Sequence, residues 1–149
     1  MDEDAQQLKL GEMFQDVSKS RPLVLSEVYH LLDRLRTARD EDAETGAQTA
    51  ANKMCAKTLE FCRRASGGRI LSLTDTKSMR SFLTNFETRK GDRLETFEAA
   101  AFANLRLDSA QEAFTLIPTL RDKFEDEAEM QSFVDQFKLS FGVLSADEE

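Results

Sequence analysis

The chain has 149 residues, a formal net charge of -8 at pH 7, 40% hydrophobic residues and two cysteines. That length allows one core, and the absence of a transmembrane run, a secretory leader pattern or a low-complexity tail sets the expectation of a soluble intracellular protein with no membrane partner. Net acidity opposes the approach of phosphate, which argues against an autonomous nucleic-acid binder and makes a protein partner the default.

The charge is unevenly spread. Residues 1 to 16 carry Asp2, Glu3, Asp4, Glu12 and Asp16 against Lys9, and residues 121 to 149 carry nine acids against Arg121, Lys123 and Lys138. Between them, residues 63 to 93 hold eight bases and three acids.

In Glu3 to Phe14, Leu8 and Leu10 alternate around Lys9 and stop at Gly11, a pattern that suits one short strand with one apolar face. A single strand in a helical chain has no stability of its own and can satisfy its backbone by adding to a partner's sheet. The other reading of this stretch is a disordered acidic arm. After Pro22 come Leu23, Val24 and Leu25, then Ser26 as a helix cap with Glu27 in the first turn. Val28, Leu31, Leu32 and Leu35 follow at helical spacing, giving an amphipathic helix that ends near Ala38. Thr37 to Ala47 has no large apolar residue and reads as an acidic linker.

From Gln48 a second helix carries Ala51, Met54, Cys55, Thr58, Leu59, Cys62 and Ala65 on one face and ends at Gly67-Gly68. Seven helical residues separate the two cysteines by roughly 10 Å, too far for a disulfide, so both read as small buried apolar groups. Two thiols and the single His30 are too few ligands for a structural metal. His30 reads as a partly exposed helix residue. A third helix, capped by Thr74 or Asp75, buries Met79, Phe82, Leu83 and Phe86. The loop Thr88 to Arg93 leads to two short helices. The first is capped by Thr96, with Phe97, Ala100, Ala101 and Leu105 on one face. The second opens with a capping box from Ser109 to Glu112 and stops at about Leu116, before Pro118. Asp126 to Phe141 is the last helix, with Met130, Phe133, Val134, Phe137 and Phe141 as its stripe and Gly142 as its stop.

Phe97, Glu98, Asn104, Leu105, Ala110, Glu112, Ala113 and Leu116 to Leu120, together with the amino-terminal run EDAQQLKLG, resemble the family of fourth subunits of eukaryotic RNA polymerase II. The resemblance covers roughly residues 3 to 141 and is poorest in the linker and over residues 66 to 78. KTLEF matches the family's helix at this place, but the family continues with an aromatic and basic turn where Arg63-Arg64-Ala65-Ser66-Gly67-Gly68 stands here.

The resemblance implies an all-α fold, a helical bundle similar to the helicase and RNase D C-terminal (HRDC-like) domain with an amino-terminal docking strand and helix. The expected partition is a docking arm over 1-38, an acidic linker over 39-47, a bundle over 48-142 and an acidic tail over 143-149. It also implies a non-catalytic stalk subunit of DNA-directed RNA polymerase II, paired as a heterodimer with the seventh subunit beside the polymerase core. Such a subunit supports initiation and factor contacts, meets emerging RNA mainly through its partner, and works in the nucleus, with the cytoplasm as a second compartment.

The residues assigned to partner binding are Leu8, Lys9, Leu10, Phe14, Val24, Leu25, Val28, Leu31, Leu32 and Leu35. Arg63, Arg64 and Arg69 are candidates for contact with RNA or a polymerase surface, the plainer reading being a solvated helix end whose cations complement the dipole. No phosphate loop, HExxH, CxxC or GxSxG occurs, and the acidic runs lack the glycine and glutamate register of a calcium loop. Nothing indicates an enzyme, a metal or a cofactor. The alternatives are the paralogous stalk subunit of RNA polymerase III and a free-standing HRDC-like nucleic-acid module.

Overall fold

A computed structural model describes residues 21-40 and 46-142. These form an all-α fold of six α-helices: α1 Leu25–Asp40, α2 Gly46–Ala65, α3 Leu73–Asn85, α4 Thr96–Leu105, α5 Ala110–Leu116 and α6 Glu127–Phe141. A 3-10 turn, Pro118–Asp122, joins the last two. The only β pairing among the described residues is an isolated antiparallel bridge between Glu87 and Arg93. The strand expected around Leu8 to Leu10 lies outside the described residues, as does the central part of the expected linker. Internal packing groups Leu23–Lys77 as one unit and the chain from Ser78 as another, to which Pro22 also belongs.

In the first unit α1 and α2 form an antiparallel hairpin: the Cys55 thiol faces the Leu32 carbonyl at 3.7 Å, and Arg63 near the other end of α2 donates to the Tyr29 hydroxyl at 3.0 Å. Cys55, Leu59 and Cys62 are buried as a stripe at spacings of four and three, as the periodicity predicts. Both thiols are free, and burial pushes the Cys62 thiol up from its ordinary value. Met54 does not join that stripe; it is 66% exposed. The last turn of α2 closes on two left-handed glycines, with φ of 76° at Gly67 and 87° at Gly68, and their amides donate to the Arg64 and Arg63 carbonyls. His30 donates its Nε2–H to the Leu71 carbonyl at 2.8 Å, which ties the following segment back to α1. The hydroxyl of Ser72 accepts from the Asp75 amide at 3.1 Å and caps α3, where the sequence suggested Thr74 or Asp75.

The second unit is built on phenylalanine. Nine of the chain's eleven phenylalanines lie from Phe82 onward. Phe133 of α6 is the hub: it stacks on Phe82 with centroids 5.6 Å apart and meets Phe86 at 4.2 Å, Phe102 at 4.8 Å and Phe124 at 5.7 Å. Leu83, Leu120, Met130 and Val134 close the space around them at zero exposure. Helix ends are satisfied locally. Asp126 accepts the Glu129 amide at 2.7 Å, and the Glu129 carboxylate accepts from Glu125 at 2.8 Å and Arg89 at 2.6 Å, which holds the 88-93 loop against the start of α6. Ser109 caps α5 through the Glu112 amide, while the Glu112 carboxylate accepts the Asp108 amide, one residue before the cap. α5 ends at Leu116, ahead of Pro118, as the proline requires.

Of the face expected on α4, Ala100 is buried, Phe97 and Ala101 are half-buried and Leu105 is exposed. Its buried residues are Glu98, Ala99, Ala100 and Phe102, while Leu105 is 46% exposed. The cap is Glu95, not Thr96, because the Glu98 carboxylate turns back to accept the Glu95 amide at 2.9 Å.

Candidate partner interface

Leu31 and Leu35 of α1 are 48% and 51% exposed, and Phe61 of α2 is 53% exposed. With Met54 they make two apolar stripes, at i, i+4 on α1 and i, i+7 on α2. Leu31 and Phe61 each lie two residues from a member of the Tyr29–Arg63 pair, about 200° around their helices, so neither stripe lies on the face that makes that contact. Val28, Leu32 and Thr58 are half-buried. A helix that leaves its apolar stripe in water while its neighbours pack is a surface suited to cover by another chain.

The residues assigned to partner binding from sequence do not all meet there. Leu8, Lys9, Leu10 and Phe14 lie outside the described residues. Val24 is only 2% exposed, so it belongs to the chain's own packing and presents no face to a partner. Leu25 is half-buried. Met54 and Phe61 were missed because helical periodicity identifies an apolar face without saying whether the same chain covers it.

The basic segment is divided between the two units. Arg63 lies 5.8 Å over the Tyr29 ring as well as bonding its hydroxyl, and Arg64 and Arg69 are exposed with no carboxylate partner among the described residues. In the second unit Arg80 is buried and donates to the Pro22 carbonyl at 3.1 Å. Arg89 sits within 4.0 Å of Glu125 and Asp126, and Lys90 bonds the Asp122 carbonyl. Of the three arginines named for contact with RNA, Arg63 is thus engaged with Tyr29, while Arg64 and Arg69 are open.

A second polar constellation, Glu98, escaped sequence reasoning as a site. Its carboxylate has zero exposure and is met by Lys123 Nζ at 2.5 Å, the Thr119 hydroxyl at 2.7 Å and the Glu95 amide. Lys123 also donates to the Arg93 carbonyl at 2.9 Å. Every partner comes from the start of α4 or the turn after Pro118, so the carboxylate pins the LIPTL segment to the preceding loop. It is a buried, fully bonded ion pair, a structural device with no side open to a substrate. Its signal in the sequence was faint: a glutamate at the third helical position beside Phe97, and a Pro-Thr-Leu turn followed by a lysine.

At the surface, Lys138 bonds Asp108 at 2.8 Å, which holds the Asp108 carboxyl below and the Lys138 ammonium above their ordinary values. No group of three His, Cys, Asp or Glu side chains placed to hold a metal occurs among the described residues. No helix among them is long and apolar enough to cross a membrane.

The model of the family described as RNA polymerase Rpb4 matches residues 22–139. DNA-directed RNA polymerase II subunit rpb4 of Schizosaccharomyces pombe is 29% identical over 135 residues, covering 91% of this chain and 89% of that protein. With a match that takes in both helical units, the chain belongs to the RNA polymerase Rpb4 family.

Proposed function

We propose that this chain is a non-catalytic subunit of nuclear RNA polymerase II that pairs with the seventh subunit to form the stalk, supporting initiation and contacts with factors and emerging RNA. The observation that carries the reading is the uncovered apolar side of the α1–α2 hairpin, Leu31, Leu35, Met54 and Phe61, in a chain matched by the Rpb4 family from Pro22 on. The relative named as a polymerase II subunit favours polymerase II over the paralogous assembly. In this reading the Leu8 to Leu10 segment adds a strand to the partner's sheet while the hairpin covers apolar surface beside it. Burying each leucine would contribute about 1.5 to 3 kcal/mol before the cost of association.

The test is capture of the tagged chain from nuclear extract at moderate salt, followed by mass spectrometry. The seventh subunit with the large polymerase II subunits is the expected result. Polymerase III subunits instead would assign the chain to the paralogous stalk, and nucleic acid without polymerase would overturn both. Deleting residues 1 to 15 is expected to weaken the heterodimer; undiminished binding would remove the strand from the docking scheme.

A further inference from the structure

The turn Arg63-Arg64-Ala65-Ser66-Gly67-Gly68 has a chemistry that the apolar docking residues of the hairpin do not use. It places two arginines two and three residues before a serine. Serine kinases with acidic substrate clefts select this pattern because paired carboxylates can grip both guanidinium groups at once. We propose that Ser66 is the acceptor of an arginine-directed serine kinase and that the resulting phosphate is held by Arg63, Arg64 and Arg69.

Ser66 is the first residue past α2, and Arg63, Arg64, Gly67, Gly68 and Arg69 around it are exposed. Its hydroxyl makes no hydrogen bond to a described residue, whereas the competing hydroxyls with an arginine three residues before them are mostly engaged. Ser72 caps α3, Ser109 caps α5, and Thr37 donates to the Asp33 carbonyl within α1. A kinase cleft needs the substrate extended. Here that requires opening the last turn of α2, held by its own helical bonds, by the Ser66 amide on the Cys62 carbonyl and by the two glycine amides, next to a Gly-Gly pair free of side-chain constraint.

In the transfer, the Ser66 hydroxyl oxygen attacks the γ-phosphorus of a nucleoside triphosphate bound to the kinase. The bond from that phosphorus to the bridging oxygen breaks, a nucleoside diphosphate leaves, and the hydroxyl proton passes to a carboxylate base of the kinase. The product adds close to two negative charges at a helix C-terminus, where the dipole disfavours them, so its stabilisation must come from the neighbouring guanidinium groups. Drawing Arg63 to the phosphate takes it off Tyr29. That gives a specific readout, since the chain has one tyrosine and no tryptophan.

The experiment incubates the full chain with a purified arginine-directed serine kinase and magnesium ATP, and follows intact mass, site mapping and tyrosine fluorescence. One phosphate per chain on Ser66, with a change in Tyr29 emission, is expected. Ser66→Ala should take up none, and Arg64→Ala should lower kcat/KM for phosphorylation by about tenfold or more with an unchanged circular dichroism spectrum. Phosphate on another hydroxyl, or no uptake by the folded chain when a peptide of residues 60 to 72 is modified, would overturn the proposal. Uptake at Ser66 without any change in Tyr29 emission would overturn the arginine clasp.

Discussion

The two units of this chain solve the same problem in opposite ways. From Ser78 on, aromatic rings converge on Phe133, and the buried charge of Glu98 meets a lysine, a hydroxyl and an amide. In the hairpin the buried stripe is a leucine and two cysteines, while two leucines, a methionine and a phenylalanine stay in water. The second unit closes an aromatic core of its own, with Leu105, Leu116 and Leu139 left exposed outside it. The hairpin, which buries small groups and exposes large ones, has apolar surface left for another molecule.

The contrast can be broken first at its strongest point. Phe133→Ala removes the ring that four others touch and is expected to destabilise the protein by about 3 to 5 kcal/mol, read from chemical denaturation. A loss below about 1 kcal/mol would mean the second unit is not organised around that side chain. Next comes Glu98→Ala, which leaves Lys123, itself mostly buried, without its carboxylate; about 3 kcal/mol is expected, with the 118-122 turn losing amide protection first in hydrogen exchange. In the hairpin, Leu31→Asp with Leu35→Asp should change stability by no more than about 1 kcal/mol, because both side chains are already half in water. A large loss there would show that the chain itself uses that face.

The smallest effect is at the surface. Asp108→Asn removes the bond to Lys138, and its trace should be in pH dependence more than in stability. Because the folded Asp108 carboxyl titrates below its unfolded value, the bond's contribution is present above the ordinary carboxylate range. It fades as pH falls through the depressed folded value. A carboxyl titration by NMR that placed Asp108 at its ordinary value would contradict the pairing.

Which of these features could be read from the residues depended on how strong the local pattern was. The stripe of α6 was legible because Met130, Phe133, Val134 and Phe137 repeat at the helical period with an acid cap before them. The stop before Pro118 was legible because proline forbids the alternative. In α4 the pattern held only at Ala100: with alanine at four of its ten positions, the buried face could turn at little cost in apolar content. Phe97 and Leu105 drew the reading away from Phe102 and Glu98. A buried glutamate is legible only through partners distant in sequence, and Lys123 lies 25 residues away. Caps slid by one to three residues, from Thr96 to Glu95 and from Thr74 or Asp75 to Ser72, because several neighbouring side chains can accept the same amides. The candidate interface was half legible: the leucines of α1 were read as docking residues, but Val24 proved to be packed, and nothing in periodicity marked Met54 and Phe61 as uncovered.

In this account the exposed apolar residues of the α1–α2 hairpin serve a partner, while the second unit closes its own aromatic core. That claim is tested most directly by titrating the seventh polymerase subunit against the native chain and the Leu31→Asp, Leu35→Asp variant, with circular dichroism and melting of each measured alongside. The account predicts a variant that folds and melts as the native chain does but binds at least about 100-fold more weakly. Equal affinity in a folded variant would place the interface elsewhere and contradict it.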